Sequence, residues 1–225
     1  MRTAAWSGRG RLDQRRARER ELVNSTRALF DERGMQDAPM DEIARTVKIN
    51  RALIYRYFES KEELFVLTMT QYLDEITAQG IARIDKSAPA DVQLRACWSS
   101  FASYCLEYPA FLDCALSLMR RPAAELRAGL TDATWFSLGR SMSNCLAVTI
   151  DILRRGARDG IFTLADAPFT ANCLYTQTIG MMHMARLGLG VSQSVADIPE
   201  VFPIAPGQVH DACVRAALAA VGLQV

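Results

Sequence analysis

Met40-Asp-Glu-Ile-Ala-Arg-Thr46, followed by Val47-Lys-Ile-Asn50 and then by Arg51-Ala-Leu-Ile-Tyr-Arg-Tyr57, is the stretch that decides the fold. Pro39 suits the first position of a helix, where its missing N–H costs nothing, and the segment from there to about Thr46 buries Ile43 and Ala44. Asn50 has the short polar side chain that caps a helix start, and about seven residues, Arg51 to Tyr57, can follow it. Two short helices joined by about four residues have helix-turn-helix spacing. In that arrangement the first helix braces the second, whose exposed start can enter a DNA major groove about 12 Å wide. Spacing alone fits an ordinary helical hairpin with a solvated face equally well.

The residue types at the second helix add chemistry. Arg51 carries a five-donor fork suited to guanine O6/N7 or to a phosphate. Tyr55 and Tyr57 can present hydroxyls to backbone phosphates, and Lys61 sits at the mouth of the next helix, whose first N–H groups also attract phosphate. Ser60-Lys-Glu-Glu63 is a capping box that opens a long helix to about Ile84. Upstream, Leu22, Thr26, Leu29 and Phe30 form one stripe of a helix from about Leu12 to Arg33, and Gly34 supplies a stop.

Further outward, 225 residues of which 50% are hydrophobic suffice for one or two globular domains. The 26 Lys and Arg against 25 Asp and Glu hide an uneven distribution, because residues 1–65 hold 14 and 11. Arg2, Arg9, Arg11, Arg15, Arg16, Arg18 and Arg20 make residues 1–20 a basic, flexible arm, read either as polyanion-seeking or as a solvated tail. No apolar run is long enough for a membrane span and no secretory signal is visible, so a cytoplasmic location is expected. Six separated cysteines without a Cys-x-x-Cys pair read as reduced core residues. Neither His183 nor His210 has an acid or a second ligand at a convincing spacing, and no phosphate-binding glycine loop is present; no enzyme, metal or cofactor is expected.

The rest of the chain also shows the helical period. Helices are expected over Asp91–Glu107, Ala110–Arg120, a long segment after Pro122 to about Asp159, Phe169–Leu187 and Gln208–Val221, with a long loop over 188–207. Phe169–Leu187 is apolar on nearly all sides and should be covered on both faces. The fold class expected is therefore all-α, with an N-terminal helix-turn-helix domain over 21–65 and a larger helical domain over 66–225.

The identities in Met40–Ala44, Ile49–Phe58 and Ser60–Phe65 closely resemble the DNA-binding signature of TetR-family transcriptional regulators, from about Leu22 to Phe65. The resemblance implies a homodimer that binds double-stranded operator DNA, most often as a repressor, and a C-terminal domain with an effector pocket. It further implies that Arg51, Ala52 and Leu53 meet bases while Tyr55, Tyr57 and Lys61 hold phosphates, with Arg56 in the same DNA-facing set. Three residues depart from the family pattern. Lys48 stands where Gly is common, so the turn must accept a residue with a Cβ, for which the left-handed region at a modest cost is one solution. Pro39 replaces a hydroxyl cap, and Leu53 offers a thymine methyl only apolar contact.

For the C-terminal domain, Trp98, Phe101, Met119, Trp135, Met142, Tyr175 and Met182 are expected to line an apolar pocket for a hydrophobic small molecule. His183 is either its polar anchor or a buried histidine bonded to a backbone carbonyl. Ala212, Ala216, Ala219 and Ala220 permit close approach of a partner helix, so a two-fold four-helix interface with Phe169–Leu187 is expected. A ligand-independent, nucleoid-type DNA binder is the alternative reading.

Overall fold

In the computed structural model, residues 4–33, 40–46, 48–195 and 198–224 are described, with side chains from residue 13 onward apart from 194 and 195. The element order is α1 (Ala4–Arg33), α2 (Met40–Thr46), α3 (Arg51–Ile54), α4 (Lys61–Arg83), α5 (Ala90–Glu107), α6 (Pro109–Met119), α7 (Ala123–Ala128), α8 (Asp132–Arg158), α9 (Ala167–Leu187), β1 (Leu189–Val195), β2 (Ile198–Pro203) and α10 (Pro206–Ala219). Pro39 and Gly34 lie outside the described residues. None of the described helices is long and apolar enough to cross a membrane.

Two compact units result. Residues 1–71 with 117–139 form unit one, and residues 72–116 with 140–225 form unit two. In unit one, Leu22, Leu29 and Phe30 of α1, Met40, Ile43 and Ala44 of α2, and Ile54, Phe58 and Leu64 are all buried. Phe30 and Phe65 pack with ring centroids 6.4 Å apart. The core of unit two is aromatic: Phe111 meets Tyr72, Phe101 and Tyr104 at centroid distances of 6.0, 6.2 and 5.7 Å. Such tilted and edge-on pairs add to the area they bury. The indole N–H of Trp98 donates to Thr178 Oγ1 at 2.9 Å, which satisfies the one polar atom of that buried ring.

Three expectations need correction. The basic arm is helical from Ala4, since its Arg- and Ala-rich sequence has high helix propensity. The helix expected from Arg51 to Tyr57 stops at Ile54; the N–H groups of Arg56 and Tyr57 then bond to the carbonyls three residues back, tightening 55–57 into a turn. Residues 188–207 hold an antiparallel ribbon, in which Leu189 pairs with Pro203 and Val191 with Val201, with an irregularity between Ser192 and Val195. Gly188, at φ 65°, ends α9 in the left-handed region, and Ile204 N–H returns to its carbonyl at 2.8 Å. The Phe202 ring and Ile204 lie over Gly190, 2.4 and 2.9 Å from where a Cβ would stand, so any larger residue there has to displace the tips of those side chains. Within the single chain, α9 is buried on one face and leaves the other open to a partner, so the expected cover on both faces is not decided by one chain. Leu174, Tyr175, Thr178, Ile179 and Met182 face inward, while Phe169 (68% exposed), Cys173, Thr176, Gly180 and Met184 face out.

Candidate nucleic-acid interface

Local sequence builds the start of α3 for display. Asn50, in an extended conformation, accepts from Leu53 N–H through Oδ1 at 2.8 Å and so fixes the first turn. Lys48 precedes it at φ 54°, so the turn does take the left-handed solution despite the Cβ. Ile54 and Phe58 are the buried anchors. With those two turned inward, Arg51, Ala52, Tyr55 and Arg56 are exposed, and Leu53 and Tyr57 are half-buried. Lys61, also exposed, is the first residue of α4.

Arg51 is the most organised of these side chains. Its guanidinium lies 3.6 Å from Asp41 of α2, donates to the Tyr55 hydroxyl at 3.4 Å and stands 5.7 Å from the Tyr55 ring centroid. The bond to Tyr55 first, and then Asp41, raise its affinity for the proton further. The fork is thus held over the exposed surface of α3 by weak, solvent-screened contacts that a base or phosphate can replace.

Glu63 secures the ground beneath Lys61. The Ser60 hydroxyl accepts from Glu63 N–H at 3.0 Å, and the Glu63 carboxylate accepts from Glu59 N–H at 2.6 Å. The same carboxylate accepts from the hydroxyls of Thr131 and Thr134 at 2.7 and 2.6 Å. Burial pushes the Glu63 carboxyl up, but the bonds from Thr134, Thr131 and Glu59 together hold it below the usual carboxylate range. Sequence reasoning found the capping box but not the two threonines, which lie about seventy residues away. In α1, Arg15 pairs with Glu19 at 2.8 Å and Arg18 with Glu21. Arg16 and Arg20 are exposed with no acid within ion-pair distance among the described residues.

The effector candidates are only partly brought together. Trp98, Phe101 and Tyr175 line one cavity of unit two with Cys97, Cys145 and Thr149, and Phe101 stacks on Tyr175 at 5.6 Å. This cavity holds about 30 Å³, room for one or two waters. Met182 is buried against Cys213, with its sulfur 3.6 Å from Sγ, and Met142 is half-buried outside the cavity lining. Met119 and Trp135 belong to unit one, where Met119 is exposed and Trp135 lies 6.0 Å from the Arg127 guanidinium. His183 is exposed, so neither of its expected buried roles fits: it falls on the outer side of α9.

His210 has an acidic neighbour that the sequence reading did not credit. Its Nδ1 is 3.0 Å from Asp211 and its Nε2 is 3.2 Å from Ser99 Oγ. Ser99 lies inside α5, where backbone N–H groups are consumed by the helix, so the contact joins α10 to α5 without an oxyanion site. Burial pushes the Cys97 and Cys213 thiols up to about 11 and Cys145 up to about 12, which keeps them protonated. Cys173 departs from the expected core role: it is exposed on α9. Among the described residues no group of His, Cys, Asp and Glu could hold a metal ion.

The fold is that of a predominantly helical protein with an N-terminal helix-turn-helix. The sequence profile of the bacterial regulatory proteins of the tetR family matches residues 22–67. HTH-type transcriptional regulator HbdR of Aromatoleum sp. (strain CIB) is 30% identical over 112 residues, which are 49% of this chain and 47% of that protein. The chain thus spans about half the length, or less, of the curated relatives it matches. Among solved structures, RolR in complex with resorcinol superposes with a TM-score of 0.67 at 18% identity, covering 95% of this chain and 91% of that one. FadR of Bacillus subtilis in complex with stearoyl-CoA gives 0.64 at 14% identity, over 90% and 98%. The match over residues 22–67 bears out the TetR-family resemblance read from the sequence of that region.

Proposed function

We propose that the chain is a homodimeric repressor that binds double-stranded operator DNA through α3 and is released by a small-molecule effector held in its C-terminal half. The observation that carries this reading is the display of Arg51, Ala52, Tyr55 and Arg56 around a helix start anchored by Ile54 and Phe58, with Lys61 at the next helix N-terminus. In this reading residues 21–65 read DNA and residues 66–225 bind the effector and dimerise. Arg51, Ala52 and Leu53 meet base edges, Arg51 exchanging Asp41 for a guanine edge or phosphate. Tyr55, Arg56, Tyr57 and Lys61 hold the backbone, and the exposed arginines of α1 add sequence-independent attraction.

Dimerisation is supported by the outer face of α9, where Phe169 and Leu187 are 68% and 62% exposed. The small residues Ala216, Ala219 and Ala220 of the C-terminal end are half-buried or exposed. Pairing α9 and α10 with their two-fold copies covers these residues and fixes two recognition helices about one DNA turn, 34 Å, apart. Selection of full-length protein on random duplexes tests the proposal. A two-fold symmetric site is expected; equal recovery of all sequences marks a nucleoid-type binder and refutes operator recognition.

A further inference from the structure

The β1–β2 ribbon stands out from unit two with its apolar side chains in solvent. Every residue of β2 is exposed, and Leu189 and Val191 of β1 are exposed as well. A lone two-stranded ribbon is marginal in water, and a large apolar patch on it calls for a surface to lie on. The chain itself holds the ribbon only at its base: Gly188 turns out of α9, the Ile204 N–H returns to the Gly188 carbonyl at 2.8 Å, and the Phe202 ring folds over Gly190.

The patch is continuous with the outer face of α9. Phe169, Met184 and Leu187 lead along the helix to Leu189, Val191, Ile198, Val201 and Phe202 on the ribbon, all of them exposed. At roughly 150–200 Å² for a large apolar side chain and about half exposure, these eight residues present on the order of 800 Å². Each partner of a standard stable interface contributes about 800 Å². A second copy of the chain, already placed against α9 in the reading above, is therefore the occupant that this area fits.

Two-fold symmetry then sets where the ribbon lands. Helices paired through the same face about an axis perpendicular to them run antiparallel, so the end of one α9 lies beside the start of its copy. With 21 residues α9 is about 31 Å long, and the seven residues of β1 reach about 23 Å beyond it. At the start of α9 lies an open groove of about 440 Å³, walled by Leu164, Ala165 and Pro168 and edged by Arg154 and Arg158 of α8. The carboxylate in its lining, Asp166, is engaged as the α9 cap and accepts from Phe169 N–H at 2.9 Å. The ribbon is apolar and brings an acid, Glu200, to meet the two arginines. An axis along α9 would instead bring the two ribbons together, with like charges side by side and the groove left uncovered.

We propose that the ribbon is an exchange arm, which lies in the groove at the start of the partner's α9 with its apolar side chains on the groove wall and Glu200 facing the arginines of α8. This deepens the dimer reading of the preceding subsection and rests on it.

Excision of the ribbon tests the arm. Replacing residues 189–203 by Asn-Gly makes Gly188 and Ile204 the ends of a β-turn, whose i to i+3 hydrogen bond is the one they already make, so the join of α9 to α10 is kept. In sedimentation equilibrium the excised protein should dissociate into monomers at least tenfold more readily than wild type, with its helical circular dichroism retained. Crosslinking locates the arm. In a Cys173→Ser background, chains carrying Val201→Cys are mixed with chains carrying Ala165→Cys and treated with a short bismaleimide; the mixed product is expected, and neither chain alone should crosslink to its own kind. Unchanged dimer affinity after excision, no mixed product, or Val201→Cys chains that crosslink to one another would overturn the arm and leave the α9–α10 dimer standing. Wild-type tetramers that excision reduces to dimers would also overturn it, because the ribbon would then join dimers. A wild-type chain that stays monomeric at every concentration would refute both the arm and the dimer.

Discussion

Replacing Glu63 by Gln keeps the shape of the side chain and removes the charge that accepts from Glu59 N–H and from the hydroxyls of Thr131 and Thr134. Hydrogen bonds to a charged group contribute about 1.5–3 kcal/mol, against about 0.5–1.5 for neutral ones. A loss of roughly 1 kcal/mol at each of three bonds sets an upper limit near 3 kcal/mol, and release of the buried charge offsets part of it. The expected destabilisation of unit one is about 2 kcal/mol at pH 7.

The pH dependence has a definite sign. The folded carboxyl titrates below its unfolded value of about 4.3, so its contribution is complete above that pH and disappears as pH falls through the lower folded value. Urea unfolding followed by the fluorescence of Trp135, next to Thr134, should therefore separate wild type from Glu63→Gln at pH 7, with a gap that narrows as pH falls below about 4.3. Equal midpoints at pH 7, or a gap that persists in acid, would refute the account of this network.

Lys48→Gly should raise stability by up to about 1 kcal/mol in urea unfolding, because a left-handed residue with a Cβ costs about 1–2 kcal/mol and glycine's extra unfolded-state entropy returns part of that; a loss of stability would contradict it. Tyr175→Phe should raise the melting temperature of the ligand-free protein, in line with about 1 kcal/mol from removing an unpaired hydroxyl, and a clear fall would mean that the hydroxyl has a partner. Ala216→Arg and Phe169→Asp should each give folded monomers in sedimentation, with operator binding reduced at least tenfold; an unaffected dimer would move the interface away from α9 and α10.

What the sequence disclosed follows from how local each signal is. The pairing of α2 and α3, the Asn50 cap, the left-handed Lys48 and the Ser60 cap depend on residues within about ten positions, and each is found in the structure. The ribbon of 189–203 was hidden because Gly188, Gly190, Pro199 and Pro203 carry strong turn signals, while its pairing depends on Phe202 covering Gly190. Trp98, Phe101 and Tyr175 turn inward, as expected of pocket-lining residues. Membership of Met119 and Trp135 in unit one does not follow from periodicity, since it depends on Ser117–Gly139 packing with residues from the start of the chain. Glu63 with its two threonines, and Gln93 with Arg155, are long-range polar contacts that leave no mark in spacing.

The central claim is that α3 reads base edges while neighbouring cations hold phosphates. The most direct test measures the affinity of wild type and Arg51→Ala for the selected duplex and for a scrambled one, across a series of salt concentrations. With Arg20, Arg56 and Lys61 of two subunits near phosphates, about six contacts give a log–log salt slope near −5 for both duplexes. The preference for the selected duplex should fall at least tenfold in Arg51→Ala, the loss of about 1–3 kcal/mol expected for one bidentate base contact. A slope near zero, or a preference unchanged in Arg51→Ala, would contradict the account.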